Sequence, residues 1–111
     1  MSAFYSIKDP IKYEGPNSKS DLAFRWYNPD QVVMGKTMRD HMRFAIAYWH
    51  TLCWPGGDPF GGDTFQRQWH HMSDEMGAAR MKADLMFETL ELLNVDFFCF
   101  HDLDIAPEGK S

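Results

Sequence analysis

The sequence predicts an α/β protein in which two buried strands pair in parallel through a crossover helix. Two short apolar runs, in residues 44–54 and 97–100, have the length and composition of strands that are buried on both faces. Between them come a long loop and a segment with the apolar period of a helix. This order implies parallel pairing, because the helix carries the chain back across the sheet.

The composition is that of a small globular domain and argues against two classes of partner. The chain has 111 residues, 44% of them apolar, and a net charge of −5. It has no basic cluster, so we expect no nucleic-acid partner. It also has no apolar run near the roughly 18 residues of a membrane span and no signal-peptide core. We therefore expect a cytoplasmic protein without membrane contact, in which Cys53 and Cys99 are small buried thiols.

The amino-terminal segment, residues 1–30, is rich in glycine, proline and asparagine. This composition predicts irregular structure with at most a short strand at residues 11–14. Its many aromatic side chains indicate an arm that packs, either on another subunit or on its own domain. Asn28 or Asp30 is expected to cap a short helical stretch that runs to Met42 with an interruption at Gly35.

The next segment, residues 44–54, is predicted as the first buried strand. Period-two alternation would place Ile46, Tyr48 and His50 on one face and Ala45, Ala47 and Trp49 on the other. We expect His50 to be a buried histidine whose ring is satisfied by the backbone.

The loop at residues 55–62 holds Phe60 between glycines and prolines but has no phosphate-binding signature. An aromatic side chain at such a tip either enters a neighbour's pocket or packs back on its own core. The adjacent His70 and His71 are predicted to form a polar surface patch.

Ser73 is expected to cap the long helix, and Asn94 to end it in a left-handed conformation. The predicted buried stripe consists of Ala79, Ala83, Met86, Leu90 and Leu93. The residues predicted to face outward are Arg80, Asp84, Glu88 and Glu91.

The second strand ends in three ionisable groups, His101, Asp102 and Asp104. Ligands bind outside the carboxyl ends of parallel strands, so this position favours a site. If the chain turns after His101, the Asp104 carboxylate can reach one ring nitrogen and leave the other free for a substrate. Solvated charges at a strand end are the alternative interpretation, and we assign that role to Asp102.

Two long motifs carry a family resemblance. Residues 48–61 read YWHTLCWPGGDPFG, and residues 98–109 read FCFHDLDIAPEG. Together with YEGP at residues 13–16 and LAFRWYNPD at residues 22–30, they resemble the amino-terminal quarter of a class II, long-form xylose isomerase. The match covers essentially the whole chain.

The resemblance implies a (β/α)₈ barrel, which typically needs about 250 residues. Residues 1–42 would be an irregular amino-terminal extension with a short helical segment, and residues 43–111 the first βαβ portion of the barrel. Both predicted strands need further strands and helices to cover them, so we expect the chain to be a fragment.

The same resemblance implies interconversion of xylose and xylulose, and less effectively of glucose and fructose. Two divalent ions, usually Mg²⁺, would hold the open-chain sugar while a hydride moves between neighbouring carbons. His101 would assist ring opening with Asp104 orienting it, Trp49 would line the sugar pocket, and Phe60 would enter an adjacent subunit of a homotetramer. The metal ligands and the proton-shuttling lysine would lie outside this chain, which alone should be inactive.

Two other interpretations remain open from the sequence. One is a different metal-dependent barrel enzyme, such as a sugar epimerase or an endonuclease-like protein, in which His101 would bind metal directly. The other is a non-catalytic interaction module that uses the aromatic arm and Phe60 as its contacts.

Overall fold

The structure is a computed structural model that describes residues 4–110. Within this part of the chain, four short strands and three α-helices are joined by turns, two of which are helical. In chain order the elements are β1 (Val32–Val33), β2 (Lys36–Thr37), α1 (Met38–His41), β3 (Ala45–Ala47), the π-helical turn Trp49–Cys53, the 3₁₀ turn Gln68–His71, α2 (Glu75–Leu93), β4 (Phe97–Cys99) and α3 (Asp102–Ile105).

The parallel pairing predicted from the crossover pattern is confirmed, because β3 and β4 run side by side in parallel. Ala45 lies opposite Phe97, and Ala47 lies opposite Cys99. The helix α2 joins the two strands and contributes to a core of large side chains: Tyr48, Leu52, Trp69, Leu85 and Met86. Parallel strands end at the same edge of a sheet, so the residues that follow β3 and β4 are brought together.

The ends of α2 follow local capping chemistry. Asp74, not the predicted Ser73, is the amino-terminal cap, and its Oδ1 accepts a hydrogen bond of 3.0 Å from the Gly77 amide. An aspartate caps as well as a serine, and its charge also meets the positive end of the helix dipole. The predicted left-handed end is confirmed, since Asn94 has φ 54° and ψ 49° and the Val95 amide bonds back to the helix.

The buried face of α2 is broader than the predicted stripe. Of that stripe, Ala79 and Met86 are buried, whereas Ala83, Leu90 and Leu93 are half-buried. Leu85 and Leu92, which lie beside the stripe, are also buried. The helix therefore packs against both the strands and the preceding loop, rather than along a single line.

The outer side of α2 holds the amino-terminal arm. The Glu88 carboxylate, predicted to face outward, accepts hydrogen bonds of 2.9 Å from the amides of Phe4 and Tyr5. These two bonds favour the ionised carboxylate and lower the pKa of Glu88. Farther along, the Ile11 amide donates to the Leu92 carbonyl at 2.7 Å. The arm thus packs on its own chain, which is one of the two alternatives drawn from the sequence.

The strand predicted at residues 11–14 is reduced to a single parallel bridge between Tyr13 and Phe24. The flanking backbone bonds are Glu14 amide to Phe24 carbonyl at 3.0 Å and Phe24 amide to Lys12 carbonyl at 2.9 Å. The prolines and glycines around this segment prevent a longer ladder.

The helical stretch predicted before Met42 is also wrong in its first half. Residues 32–37 form an antiparallel hairpin whose turn residues, Met34 and Gly35, have φ values of 51° and 82°. Two positive φ values are the geometry of tight hairpin turns, and glycine adopts it without strain. Helix α1 begins only at Met38, with the Thr37 hydroxyl accepting from the Asp40 amide at 3.3 Å.

The predicted first strand is correct only over its first part. β3 ends at Ala47, and the chain then enters the π-helical turn, closed by a bond of 2.8 Å from the Trp54 amide to the Trp49 carbonyl. A continued strand would have buried the polar His50 on the same face as Tyr48, which is costly without a partner. The turn keeps the core position of Tyr48 and leaves His50 exposed, so the prediction of a buried His50 is wrong.

The strand pair is not covered on both faces by residues 4–110. Phe97 is 42% exposed, and Cys99, predicted as a buried thiol, is exposed as well. The described residues thus form a small α/β unit with one parallel strand pair and no closed barrel. No helix in residues 4–110 is long and apolar enough to cross a membrane.

Candidate functional site at the strand ends

The site is built where the chain turns directly after β4. His101 is the residue before helix α3, and Asp104 lies in the first turn of that helix. The Asp104 Oδ2 accepts a bond of 2.8 Å from the His101 amide and lies 3.0 Å from the His101 Nδ1. One carboxylate oxygen therefore holds both the main chain and the ring of His101.

This geometry fixes the function of each ring nitrogen. An ionised carboxylate can only accept, so the Nδ1 beside Asp104 carries the hydrogen and the Nε2 of the neutral ring is left as an acceptor. The His101 side chain is 69% exposed, whereas that of Asp104 is 14% exposed. The pair therefore presents a proton acceptor of fixed orientation to the solvent side and keeps its orienting acid underneath.

Trp49 forms one wall beside the pair. Its ring centroid lies 4.7 Å from that of His101, with 43° between the planes. Trp49 is the first residue of the π-helical turn, so the end of β3 delivers it to the end of β4. The structure thus brings together three of the four predicted site residues, and their chemical functions remain predictions.

The fourth, Phe60, stands apart on the loop that follows the π-helical turn and is 97% exposed. Its position is held by the backbone, because the Phe60 amide donates to Asp58 Oδ1 at 2.8 Å and Asp58 forms a bridge with Gly61. Trp54 supports the base of the loop through a bond of 2.9 Å from Nε1 to the Gly57 carbonyl. The loop presents an aromatic ring outward from an ordered base.

Beneath the pair lies a cluster that sequence reasoning missed. The Lys82 Nζ donates to the main-chain carbonyl of Asp104, and the Cys53 Sγ lies 3.6 Å from the same oxygen. Burial raises the pKa of the Cys53 thiol, an effect that Lys82 partly opposes. No local signal marks Lys82, because its partner is 22 residues away and belongs to the backbone.

Tyr48 completes this buried layer. It is 2% exposed, and its hydroxyl oxygen has no hydrogen-bond partner among the described residues. Burial, with smaller contributions from Cys53 and Asp104, raises the pKa of Tyr48 to about 12. The Lys82 ammonium lies 5.9 Å from the centre of the Tyr48 ring.

The remaining candidates have structural surroundings. Asp102 is exposed and its Oδ1 accepts from the Leu103 amide at 2.9 Å. His71 is exposed, as predicted for a surface residue, but His70 is not part of a patch. Its Nδ1 accepts from the Arg67 amide at 3.1 Å, and its Nε2 lies 3.2 Å from the Cys53 carbonyl, which anchors the loop.

No group of three or more histidine, cysteine, aspartate or glutamate side chains in residues 4–110 has the arrangement of a metal site. The residues described here therefore do not fit the two divalent ions that the family resemblance implies. The strand-end arrangement has the chemistry of an oriented proton acceptor beside a flat aromatic wall.

The described residues form an α/β unit, and a histidine oriented by a carboxylate at the carboxyl ends of its parallel strands is the candidate site. No protein-family model matches the chain. Curated relatives place it more narrowly. It is similar to proteins named xylose isomerase from Sinorhizobium fredii (58% identical over 110 residues) and Agrobacterium fabrum (59% over 110 residues), each match covering 99% of this chain.

A third protein of that name, from Roseobacter denitrificans, is 56% identical over 111 residues and covers 100% of the chain. In each case the match covers 25% of the relative, so the chain spans about a quarter of the length of these proteins. The resemblance drawn from the two sequence motifs is confirmed: along its whole length, the chain is similar to about a quarter of each of these proteins named xylose isomerase.

Proposed function

We propose that the protein to which this chain belongs interconverts D-xylose and D-xylulose, and that this chain supplies the groups that open the sugar ring. The observation that carries the proposal is the His101–Asp104 pair, with 3.0 Å between ring nitrogen and carboxylate, beside Trp49 at the carboxyl end of the strands. The likeness of the whole chain to proteins named xylose isomerase supports the choice of sugar.

Ring opening needs one proton to leave the anomeric hydroxyl and one to reach the ring oxygen. The free Nε2 of His101 accepts the proton from the anomeric hydroxyl as the bond between C1 and the ring oxygen breaks. The same proton is then returned to the former ring oxygen, which leaves an open-chain aldose and a neutral imidazole. Asp104 stabilises the transient imidazolium, and the Trp49 ring covers an apolar face of the sugar.

The hydride shift between C1 and C2 is assigned to other parts of the full-length protein. The family resemblance implies two divalent ions, with Mg²⁺ the expected metal, but residues 4–110 offer no cluster to hold them. We therefore propose that the metal ligands and the proton-shuttling lysine lie outside this chain. It follows that the 111-residue chain alone should form no xylulose, even with added Mg²⁺.

Phe60 is proposed to enter the sugar site of an adjacent subunit. Its 97% exposure and its ordered loop fit a side chain that is covered only by a partner. Such a contact requires a homo-oligomer, and we propose a tetramer. We further propose that the protein is located in the cytoplasm. A Phe60→Ala variant is expected to weaken sugar binding without unfolding the subunit, because the ring makes no part of the core.

A hybrid enzyme provides the test. The matching segment of the Agrobacterium fabrum relative, 59% identical, is replaced by this chain, and isomerisation is followed with two substrates. Xylose closes into a ring, whereas glyceraldehyde has three carbons and cannot. We expect His101→Gln to lower kcat/KM for xylose by about 10²- to 10⁴-fold and to affect glyceraldehyde far less.

Two results would contradict the proposal. A hybrid that folds, binds its metals and forms no xylulose would remove the assignment of the reaction. Equal losses on xylose and glyceraldehyde in the His101→Gln variant would show that the imidazole acts in the isomerisation itself rather than in ring opening.

A further inference from the structure

The acid that orients His101 sits on a short helix, and that helix needs an anchor of its own. Helix α3 has four residues, so most of its carbonyls have no partner within the helix. The carbonyl of Asp104 points toward α2, where Lys82 donates to it. The Cys53 thiol, from the π-helical turn, approaches the same oxygen at 3.6 Å. Two other elements therefore converge on the backbone of the orienting acid.

From this convergence we propose that Lys82 is a positioning residue for ring opening: it fixes the main chain of Asp104 and thereby the carboxylate that holds His101. The proposal rests on the function proposed above. Lys82 is half-buried in the middle of α2, a rigid 19-residue helix, and lies over the Tyr48 ring at 5.9 Å from its centre. Packing against the Tyr48 ring therefore restricts the Lys82 side chain, so that its ammonium group holds the Asp104 carbonyl in a defined position.

The chain from Lys82 to the substrate has three links. Lys82 holds the Asp104 carbonyl, the Asp104 Oδ2 holds the His101 amide and ring, and the ring offers Nε2 to the sugar. Without the ammonium group, the end of α3 loses a charge-assisted bond and can rotate about its start. A rotation that moves the carboxylate by about 1 Å is enough to impair the orientation of the imidazole.

The test uses the hybrid enzyme with three single variants. Lys82→Met keeps the length of the side chain but cannot donate, Lys82→Arg keeps a donor, and Lys19→Met removes an exposed lysine as a matched control. We expect Lys82→Met to lower kcat/KM for xylose by about 10- to 100-fold. Glyceraldehyde turnover should stay within about twofold, Lys82→Arg should recover most of the loss, and Lys19→Met should behave as the parent.

A double variant separates positioning from general stability. If Lys82 acts through Asp104, then Lys82→Met should cost little more once Asp104→Asn has been introduced, because the two changes affect one unit. Additive losses on xylose, equal losses on both substrates, or a Lys82→Met enzyme with parental xylose turnover would each overturn the proposal. Failure of the parent hybrid to isomerise either sugar would instead count against the proposed function, so the two ideas fail in different ways.

Discussion

The ends of β3 and β4 lie side by side, and each is followed by a histidine, yet only one of the two histidines is oriented. After β4, His101 is followed three residues later by Asp104, which holds its ring. After β3, His50 is followed three residues later by Cys53, and within residues 4–110 no hydrogen bond fixes the His50 ring. The residue three positions after the histidine, rather than the place of the histidine at the strand end, decides which imidazole is held in one orientation.

The comparison also shows that the two ends are physically joined. The Cys53 thiol, three residues after His50, lies 3.6 Å from the main-chain carbonyl oxygen of Asp104, which is three residues after His101. The turn after β3 thus has a thiol where the turn after β4 has a carboxylate, and that thiol contacts the backbone of Asp104. Trp49, next to His50, likewise turns toward His101, with 4.7 Å between ring centroids.

The largest effect on activity is expected when the carboxylate that orients His101 is removed, because neither strand-end histidine is then held by a carboxylate of residues 4–110. In the hybrid enzyme, Asp104→Asn should lower kcat/KM for xylose by about 10- to 100-fold, because the amide cannot stabilise an imidazolium as a carboxylate does. Asp102→Asn is the matched control and should change the rate little, since within residues 4–110 that carboxylate bonds only to the Leu103 amide. Comparable losses in the two variants would mean that the total negative charge at the strand ends matters, rather than the contact of one carboxylate with His101.

The next largest effect is expected at Trp49, which follows β3 and packs beside His101, the histidine that follows β4. Trp49→Ala removes the wall beside His101, and we expect KM for xylose to rise about tenfold with a smaller change in kcat. Trp49→Phe, which keeps a flat ring, should recover most of the affinity. A large fall in kcat with KM unchanged would show that the indole acts on the orientation of His101 rather than on the sugar.

How far the sequence reveals this arrangement depends on the range of each interaction. The contact between His101 and Asp104, and the end of α2 at Asn94, arise within three or four residues and could be predicted from the pattern alone. The parallel pairing of β3 with β4 was also predictable, because a helix between two strands restricts the topology.

Other features could not be read from local pattern. A strand and a π-helical turn both place Tyr48 and Leu52 on the core side, so the apolar spacing cannot distinguish them. The turn at Met34 uses a methionine at positive φ, where sequence statistics expect asparagine or aspartate. Lys82 acts on a backbone carbonyl 22 residues away, and only the assembled fold brings the two together.

Tyr48 gives a prediction about stability that tests the buried side of the β3 end. Its pKa is raised to about 12 by burial, so the folded state keeps the phenol neutral while the unfolded state ionises near pH 10. The stability that this provides is complete below pH 10 and is lost as the pH rises toward 12. Neighbouring ionisable groups are Cys53, Lys82 and Asp104.

Thermal unfolding of the hybrid enzyme measures this effect. Tyr48→Phe should lower the alkaline sensitivity of the midpoint between pH 10 and 12, and at pH 7 it should not destabilise, because the hydroxyl has no partner to lose among residues 4–110. Tyr13→Phe, at a partly exposed ring, is the control and should leave the alkaline slope unchanged. Destabilisation by Tyr48→Phe at pH 7 would show that the hydroxyl has a partner in the full-length protein.

The smallest effect is expected at His50, which directly tests whether the two strand-end histidines, His50 and His101, differ in function. His50→Gln keeps a polar side chain at an exposed position and removes an imidazole that no carboxylate among residues 4–110 holds, so kcat/KM for xylose should stay within about threefold of the parent. The pH profile of kcat/KM should also be unchanged, because the proposed proton transfer is assigned to the oriented ring of His101. If instead His50→Gln shifted that profile while His101→Gln did not, the two histidines would exchange their assigned functions, and orientation by Asp104 would not be what selects the base.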